Sequence, residues 1–183
     1  DRIGSQILTH YPHNLETAKA ITRQESHINE AVQQAIHVPE LARDILEQIG
    51  FEARKSEYVD FKSGVSARMS ITAFENLMSA AERRMLISGE ERTCIRMSDF
   101  LGTIPAINGK VELVYEGEQE GAEQVSLHLI SQAIKTLFPA YFPEIKKLKK
   151  EEEEGPYDQL LDWFYNDNEL FLEDNLTDNV YCD

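Results

Sequence analysis

The strongest constraint on this chain is the stretch Ser63–Ile87, SGVSARMSITAFENLMSAAERRMLI. Ile71, Phe74, Leu77, Met78, Ala81 and Met85 recur at spacings of three and four, which is one apolar face of an α-helix. Such a face must be buried against other helices, so the chain is expected to fold around it. Ser70 or Thr72 is placed to cap the helix, Thr72 with Glu75 has the spacing of a capping box, and Gly89 sits where it would stop. Arg68 then lies just before the helix or in its first turn. A cation there opposes the helix dipole by roughly 0.3–1 kcal/mol. Helix stability therefore does not explain it, and the plain reading is an arginine paired with a nearby carboxylate.

The flanking segments supply the partners for that face. Ser5–Tyr11 (SQILTHY), rich in β-branched and aromatic residues and ended by Pro12, reads as a short strand. It has no partner strand here, so it is expected to pair outside this chain or to be unordered. Asn14 to about Ala35 reads as one helix with Leu15, Ala18, Ile21, Ile28, Ala31, Val32 and Ala35 on its stripe. Pro39 opens a second helix to about Glu57, burying Leu41, Ala42, Ile45, Leu46, Ile49 and Ala53. After the central helix, Ser98 is expected to cap a short helix near Phe100–Ile107. Asn108-Gly109 is a turn signal, and Val111, Leu113 and Tyr115 alternate as in a short strand or extended loop. Glu116–Gly121 (EGEQEG) reads as a solvated polar loop, because its glutamates lack the ligand spacing of a calcium loop. A last long helix is expected from about Gln124 to Phe138, ended by Pro139 and Pro143. The expected fold is an all-α helical bundle, with a short N-terminal strand and an extended loop near 109–121.

Charge is distributed unevenly. Of 33 acidic residues, 12 lie from Glu151 onward, where there is no Lys or Arg. The preceding part is nearly neutral, which disfavours a broad nucleic-acid face. No apolar run approaches the roughly 18 residues of a membrane span. Lys146–Glu154 is a charge block split by sign, and Gly155-Pro156 marks a boundary. Beyond it Leu160, Leu161, Trp163, Phe164, Leu170 and Leu172 interrupt the acidic tail, so residues 157–172 are expected to pack on the bundle or a partner. The two cysteines, Cys94 and Cys182, have no metal or redox spacing and suit a reducing, cytoplasmic setting. The five histidines are scattered, and no metal site is expected.

No complete catalytic motif is present. Gly109-Lys110 is followed by Val111 and has no glycine five positions earlier, so it is not a phosphate-binding loop. There is no GxSxG elbow, HExxH or dinucleotide fingerprint. The chain also starts without methionine and reads as a piece of something longer.

Three strings carry a resemblance: Thr9-His-Tyr-Pro12; Tyr58–Arg68 (YVDFKSGVSAR) with Met69-Ser-Ile71 and Asn76–Arg84 (NLMSAAERR); and Gly109–Gly121 (GKVELVYEGEQEG). They resemble the C-terminal part of bacterial magnesium-chelatase-like ATPases, in the AAA+ branch shared with MoxR-type ATPases. The similarity covers about residues 1–155 and is looser in the tail. It implies a helical lid domain over residues 14–155, carried behind a nucleotide-binding core of which 1–13 would be the end, with 156–183 as an acidic C-terminal segment. It further implies ATP and Mg²⁺ bound by the full-length protein, neighbouring subunits in a ring, and a protein partner. Arg68 stands where such lids carry sensor 2, the arginine that reaches toward the γ-phosphate. Arg2 stands near the place of an arginine finger. The 109–121 loop and the acidic tail go beyond a minimal lid, and nothing here binds porphyrin. The resemblance therefore does not imply metal insertion into a tetrapyrrole. The alternative from a different class is a non-enzymatic helical scaffold that binds proteins through its helical groove and its Trp163/Phe164 tail.

Overall fold

Helix α4, Met69–Ser88, is the element the rest is packed around in the computed structural model, which describes residues 4–143, 155–166, 168–169, 173 and 176–182. Met69, Ala73, Phe74, Leu77, Met78, Ala81 and Met85 are buried along it. The helix ends at Gly89, φ 71°, as the sequence suggests. Its start differs from expectation. Arg68 occupies the cap position with no side-chain cap. Neither Ser70 nor Thr72 caps, because the helix already starts at Met69 and both lie inside its first turns; the Glu75 carboxylate instead accepts the His27 N–H at 2.8 Å.

That bond marks the break in what the sequence presents as one N-terminal helix. The chain forms α1, Leu15–Glu25, and a separate α2, Glu30–Ala35. Asn14 caps α1 by accepting the Thr17 N–H, and Asn29 caps α2 by accepting the Ala31 N–H. The apolar stripe of α1 is also rotated from the one expected. Ala18, Lys19 and Thr22 are buried, whereas Ile21 is 40% exposed. The next helix, α3 (Glu40–Ala53), follows Pro39 and buries Ala42, Ile45, Leu46, Ile49 and Ala53 as expected. It also buries Glu47, which is hydrogen-bonded to Thr22 of α1 and Ser70 of α4. Burial pushes the Glu47 carboxyl above its ordinary value, against those two hydrogen bonds and the nearby Arg54 and Lys19 charges.

A two-residue parallel pairing joins distant parts of the chain. β1, Ile36–His37, lies beside β2, Thr93–Cys94, with Ile36 opposite Thr93 and His37 opposite Cys94. The pairing extends by one bond, Ile95 N–H to the His37 carbonyl at 2.9 Å. A 3₁₀ helix, Met97–Thr103, then runs into α5, Ile104–Asn108. Ser98 does not cap it. The helix starts at Met97, so Ser98 lies inside its first turn, and the Asp99 carboxylate, also held by Arg84, closes that turn by accepting the Arg96 N–H at 2.8 Å.

Residues 109–121 follow the sequence reading in their first half and depart from it in the second. Val111 and Leu113 form isolated antiparallel bridges to Val65 and Val59. The polar loop expected at Glu116–Gly121 is instead a helical turn, α6 (Tyr115–Glu120), with its glutamates exposed. It forms because Gly117 lets the turn lie flat on Tyr58, where a Cβ would come 2.6 Å from the Tyr58 carbonyl oxygen. The last long helix, α7 (Ala122–Tyr141), packs along α3 and buries Val125, Leu129, Ile130, Ala133 and Leu137. Pro139 does not end it. A proline near a helix end removes only one intrahelical bond, and the Phe142 N–H still reaches the Phe138 carbonyl.

No strand forms at Ser5–Tyr11 among the described residues, and residues 4–11 are exposed. A strand needs a ladder partner, and none is beside it. In the tail, α8 (Asp158–Tyr165) forms as expected, but Leu160, Leu161, Trp163 and Phe164 are 40–55% exposed and do not bury against the bundle. Its named tie to the bundle side is the Tyr157 hydroxyl donating to the Pro143 carbonyl at 2.7 Å. The Lys146–Glu154 block, Leu170, Leu172 and Arg2 lie outside the described residues. The described architecture is thus mostly helical, with the two-residue pairing as its only sheet. No helix among the described residues is long and apolar enough to cross a membrane.

Candidate functional site

Arg68 is exposed at the entry of α4, and among the described residues no carboxylate forms an ion pair with it. The carboxylate pairing that would explain it as a surface arginine is therefore not made there. Its backbone is fixed from both sides. The Arg68 N–H donates to the Ser66 hydroxyl at 3.3 Å, and the Arg68 carbonyl accepts from Thr72 at 3.0 Å. The preceding strip is pinned in turn. The Ser66 N–H reaches the Lys110 carbonyl at 3.1 Å, the Asp60 N–H reaches the Glu112 carbonyl at 2.9 Å, and the Val114 N–H reaches the Tyr58 carbonyl at 3.0 Å.

Beside this entry lies an open cleft of about 870 Å³, lined by Thr9–Tyr11, Ser63–Ala67 and Asn108–Glu112. Each of the three strings that carry the family resemblance contributes one wall. Tyr11 is held under the Arg54 guanidinium, 4.7 Å from its ring centroid, and Phe51 stacks on the same cation at 4.6 Å. Burial pulls the Arg54 pKa down, partly offset by Tyr11 and Glu47. Gly64 turns the wall beneath Tyr11 at φ 71°, and a Cβ there would sit 2.8 Å from the Tyr11 hydroxyl. The Ser63 hydroxyl donates to Asp60 at 2.7 Å, which with the Lys62 N–H keeps the Asp60 carboxyl below its usual value. Lys110 is the cation of the lining, and Arg68 stands one residue beyond the Ser63–Ala67 wall. Ile7 and Leu8, just before Thr9 of the lining, and Phe61, two residues before Ser63, are each at least 85% exposed.

A second polar centre lies further along α4, and sequence reasoning missed it. Arg84 is buried and bidentate to Asp99, with Nε to Oδ1 at 3.1 Å and Nη2 to Oδ2 at 3.0 Å. It also donates to the Thr93 hydroxyl at 2.8 Å and the Cys94 carbonyl at 2.7 Å. Burial alone would lower the Arg84 pKa, but the Asp99 bond and the charges of Asp99, Asp178 and Glu90 hold it above its ordinary value. A signal was present: Arg84 is three residues from Ala81 and seven from Leu77, so it falls on the apolar stripe, where a charge needs a partner. Asp178, in the terminal turn α9 (Asp178–Cys182), approaches from the tail. It accepts from Arg96 Nη2 at 2.6 Å, the Thr93 hydroxyl at 3.1 Å and the Cys94 N–H at 2.9 Å. Burial works against the Asp178 carboxylate, but the Arg96 and Thr93 bonds, the Arg96 charge and the Cys94 N–H together depress its pKa. No sequence pattern pointed to Asp178, which is one of many tail acids.

A third cluster gathers Glu16, Glu40 and Asp44 closely enough to share a cation. The position is taken by the Lys19 ammonium, 2.7 Å from Glu16, paired with Glu40, and 2.7 Å from Asp44 in an ion pair rather than an aligned hydrogen bond. Burial would lower the Lys19 pKa, but the contacts with these carboxylates, Asp44 foremost, outweigh it and raise it. The Tyr141 hydroxyl donates to Asp44 at 2.5 Å, and that bond with burial pushes its pKa up to about 12. This is a structural pin between α1, α3 and α7. Compared with known proteins, the chain matches no family model, no curated protein and no solved structure.

Proposed function

We propose that this chain is the lid region of a cytoplasmic AAA+ ATPase of the magnesium-chelatase/MoxR kind, with Arg68 as its sensor 2. The observation that carries this reading is the setting of Arg68. It is an exposed cation without an ion-pair partner among the described residues, fixed at the start of the buried central helix and at the edge of the cleft. In the full-length protein the missing core supplies the phosphate loop and the Mg²⁺ site for ATP, and Arg68 neutralises charge spreading over the γ-phosphoryl oxygens. The exposed Ile7, Leu8 and Phe61 support a covered face, and the core is the proposed cover. Arg2 would act on the nucleotide of a neighbouring subunit in a ring, and a protein partner would receive the motion.

The test is the steady-state ATPase rate of the full-length protein beside its thermal unfolding. Arg68→Ala is expected to depress hydrolysis about 10-fold or more, on the order of losing one transition-state charge contact. The unfolding temperature should hardly move, because the side chain is exposed. A normal rate in the folded variant would sink the assignment.

The half-exposed Leu160, Leu161, Trp163 and Phe164 on α8 favour a second reading, a helical scaffold that binds proteins without catalysis. A full-length protein that binds no ATP in calorimetry, yet is folded, would leave that reading standing.

A further inference from the structure

The face formed by Arg84, Thr93, Cys94 and Arg96 is built without the tail that covers it. Thr93 and Cys94 are held by the parallel pairing with Ile36 and His37. Arg84 is held by Asp99, and the Arg96 backbone is held by the same carboxylate. Asp99 pairs with Arg84, whereas the ion-pair partner of the Arg96 side chain among the described residues is Asp178, which also lies 3.6 Å from Arg84 Nη1. The terminal turn brings Arg96 two complementary groups. Asp178 meets Arg96 Nη2 at 2.6 Å, and the Tyr181 ring lies 4.1 Å from the guanidinium carbon. Residues three apart share one side of a helical turn, so an Asp-x-x-Tyr spacing delivers both to one arginine. The Leu176 carbonyl accepts from the same Nη2 at 2.8 Å, and the Asp178 N–H donates to Glu90 at 2.7 Å.

We propose that this face is a binding site for an acidic helical turn of the form Asp-x-x-Tyr, which the chain's own Leu176–Tyr181 segment fills as a displaceable ligand. The inference does not depend on the ATPase reading. Displaceability follows from what docking costs. With the turn in place, Arg96 Nε and Nη1 are buried without a hydrogen-bond partner among the described residues. Two buried donors left unpaired on the bound arginine offset part of its attraction to the turn. Val180, between the two anchors, remains 58% exposed and adds little burial. Residues 142–175 join α7 to the turn, so its rebinding is intramolecular.

The experiment uses a labelled peptide of residues 173–181 and fluorescence anisotropy against the whole chain. Asp178→Ala/Tyr181→Ala chain, whose own turn has lost both anchors, is expected to bind the peptide saturably. Unmutated chain should bind it roughly tenfold more weakly or worse, because the tethered turn competes. Equal binding to both chains, or no binding to the double variant, overturns the proposal. The unmutated chain supplies a second measurement that needs no variant. The Cys94 N–H, which donates to Asp178, should exchange with solvent through an opening that leaves the Leu77 amide protected. If Cys94 exchanges only on global unfolding, the turn is an integral part of the fold and the proposal fails.

Discussion

Replacing Arg84 by methionine isolates what the buried network contributes. The guanidinium makes two bonds to Asp99 and one each to the Thr93 hydroxyl and the Cys94 carbonyl. Methionine keeps most of the side-chain length and apolar bulk, so cavity formation is a small term. The Asp99 carboxylate, 5% exposed, is then left with the Arg96 N–H as its donor. Breaking a buried pair by removing one partner costs about 3–5 kcal/mol, because the other charge stays desolvated. For a chain of this size about 2–4 °C accompanies each kcal/mol, so Arg84→Met should lower the melting temperature by roughly 6–20 °C. Arg84→Met/Asp99→Asn removes the stranded charge while keeping an oxygen to accept the Arg96 N–H. It should recover half of the loss or more. Urea unfolding at pH 7, with thermal unfolding beside it, measures all three chains. A loss below about 1 kcal/mol, or a double variant as unstable as the single one, would refute the charge argument. The second outcome would mean that lost packing, not a stranded carboxylate, sets the effect.

Glu47 gives a prediction of pH dependence. Burial raises its folded-state pKa, so its stability contribution is intact below the ordinary carboxylate value of about 4.3 and is lost as pH rises through the raised one. Glu47→Gln should therefore raise the melting temperature at pH 7 by a few degrees and leave it little changed near pH 4, and a loss of stability at pH 7 would contradict this. Gly117→Ala should lower the urea midpoint by the equivalent of about 1–3 kcal/mol, because the new methyl would meet the Tyr58 carbonyl at 2.6 Å. An unchanged midpoint would show that α6 can lift off Tyr58 without cost.

The long helices were readable because their apolar spacing is a local property that burial then uses. The buried faces of α3 and α7 contain Ile45, Leu46, Ile49, Ile130, Ala133 and Leu137 as the periodicity indicates. Where the sequence misled, a tertiary partner decided. Glu75 reaches across to His27, and α4 starts at Met69, ahead of both residues expected to cap it. Gly117, which signals a loop in isolation, is the residue that allows α6 to approach Tyr58. Of the candidate site, the position of Arg68 before the helix was legible, but that no described carboxylate pairs with it was not, since ion pairing depends on the fold. The tail shows the same limit. Its apolar residues drew attention to Trp163 and Phe164, while the anchor is Asp178, whose partners lie 82–88 residues earlier in the chain.

That separation has a consequence for the order in which a newly made chain acquires its contacts. Arg84 and Asp99 are 15 residues apart, so their pair can close almost as soon as both have emerged. Arg96 has to wait for Asp178, 82 residues downstream. At about 5–20 residues per second, that wait is roughly 4–16 s. During it, Arg96 stands open to solvent on a face whose neighbours are already set. Each molecule therefore passes through a brief open-faced youth, in which the arginine is exposed to solvent before the acid that pairs with it has been made.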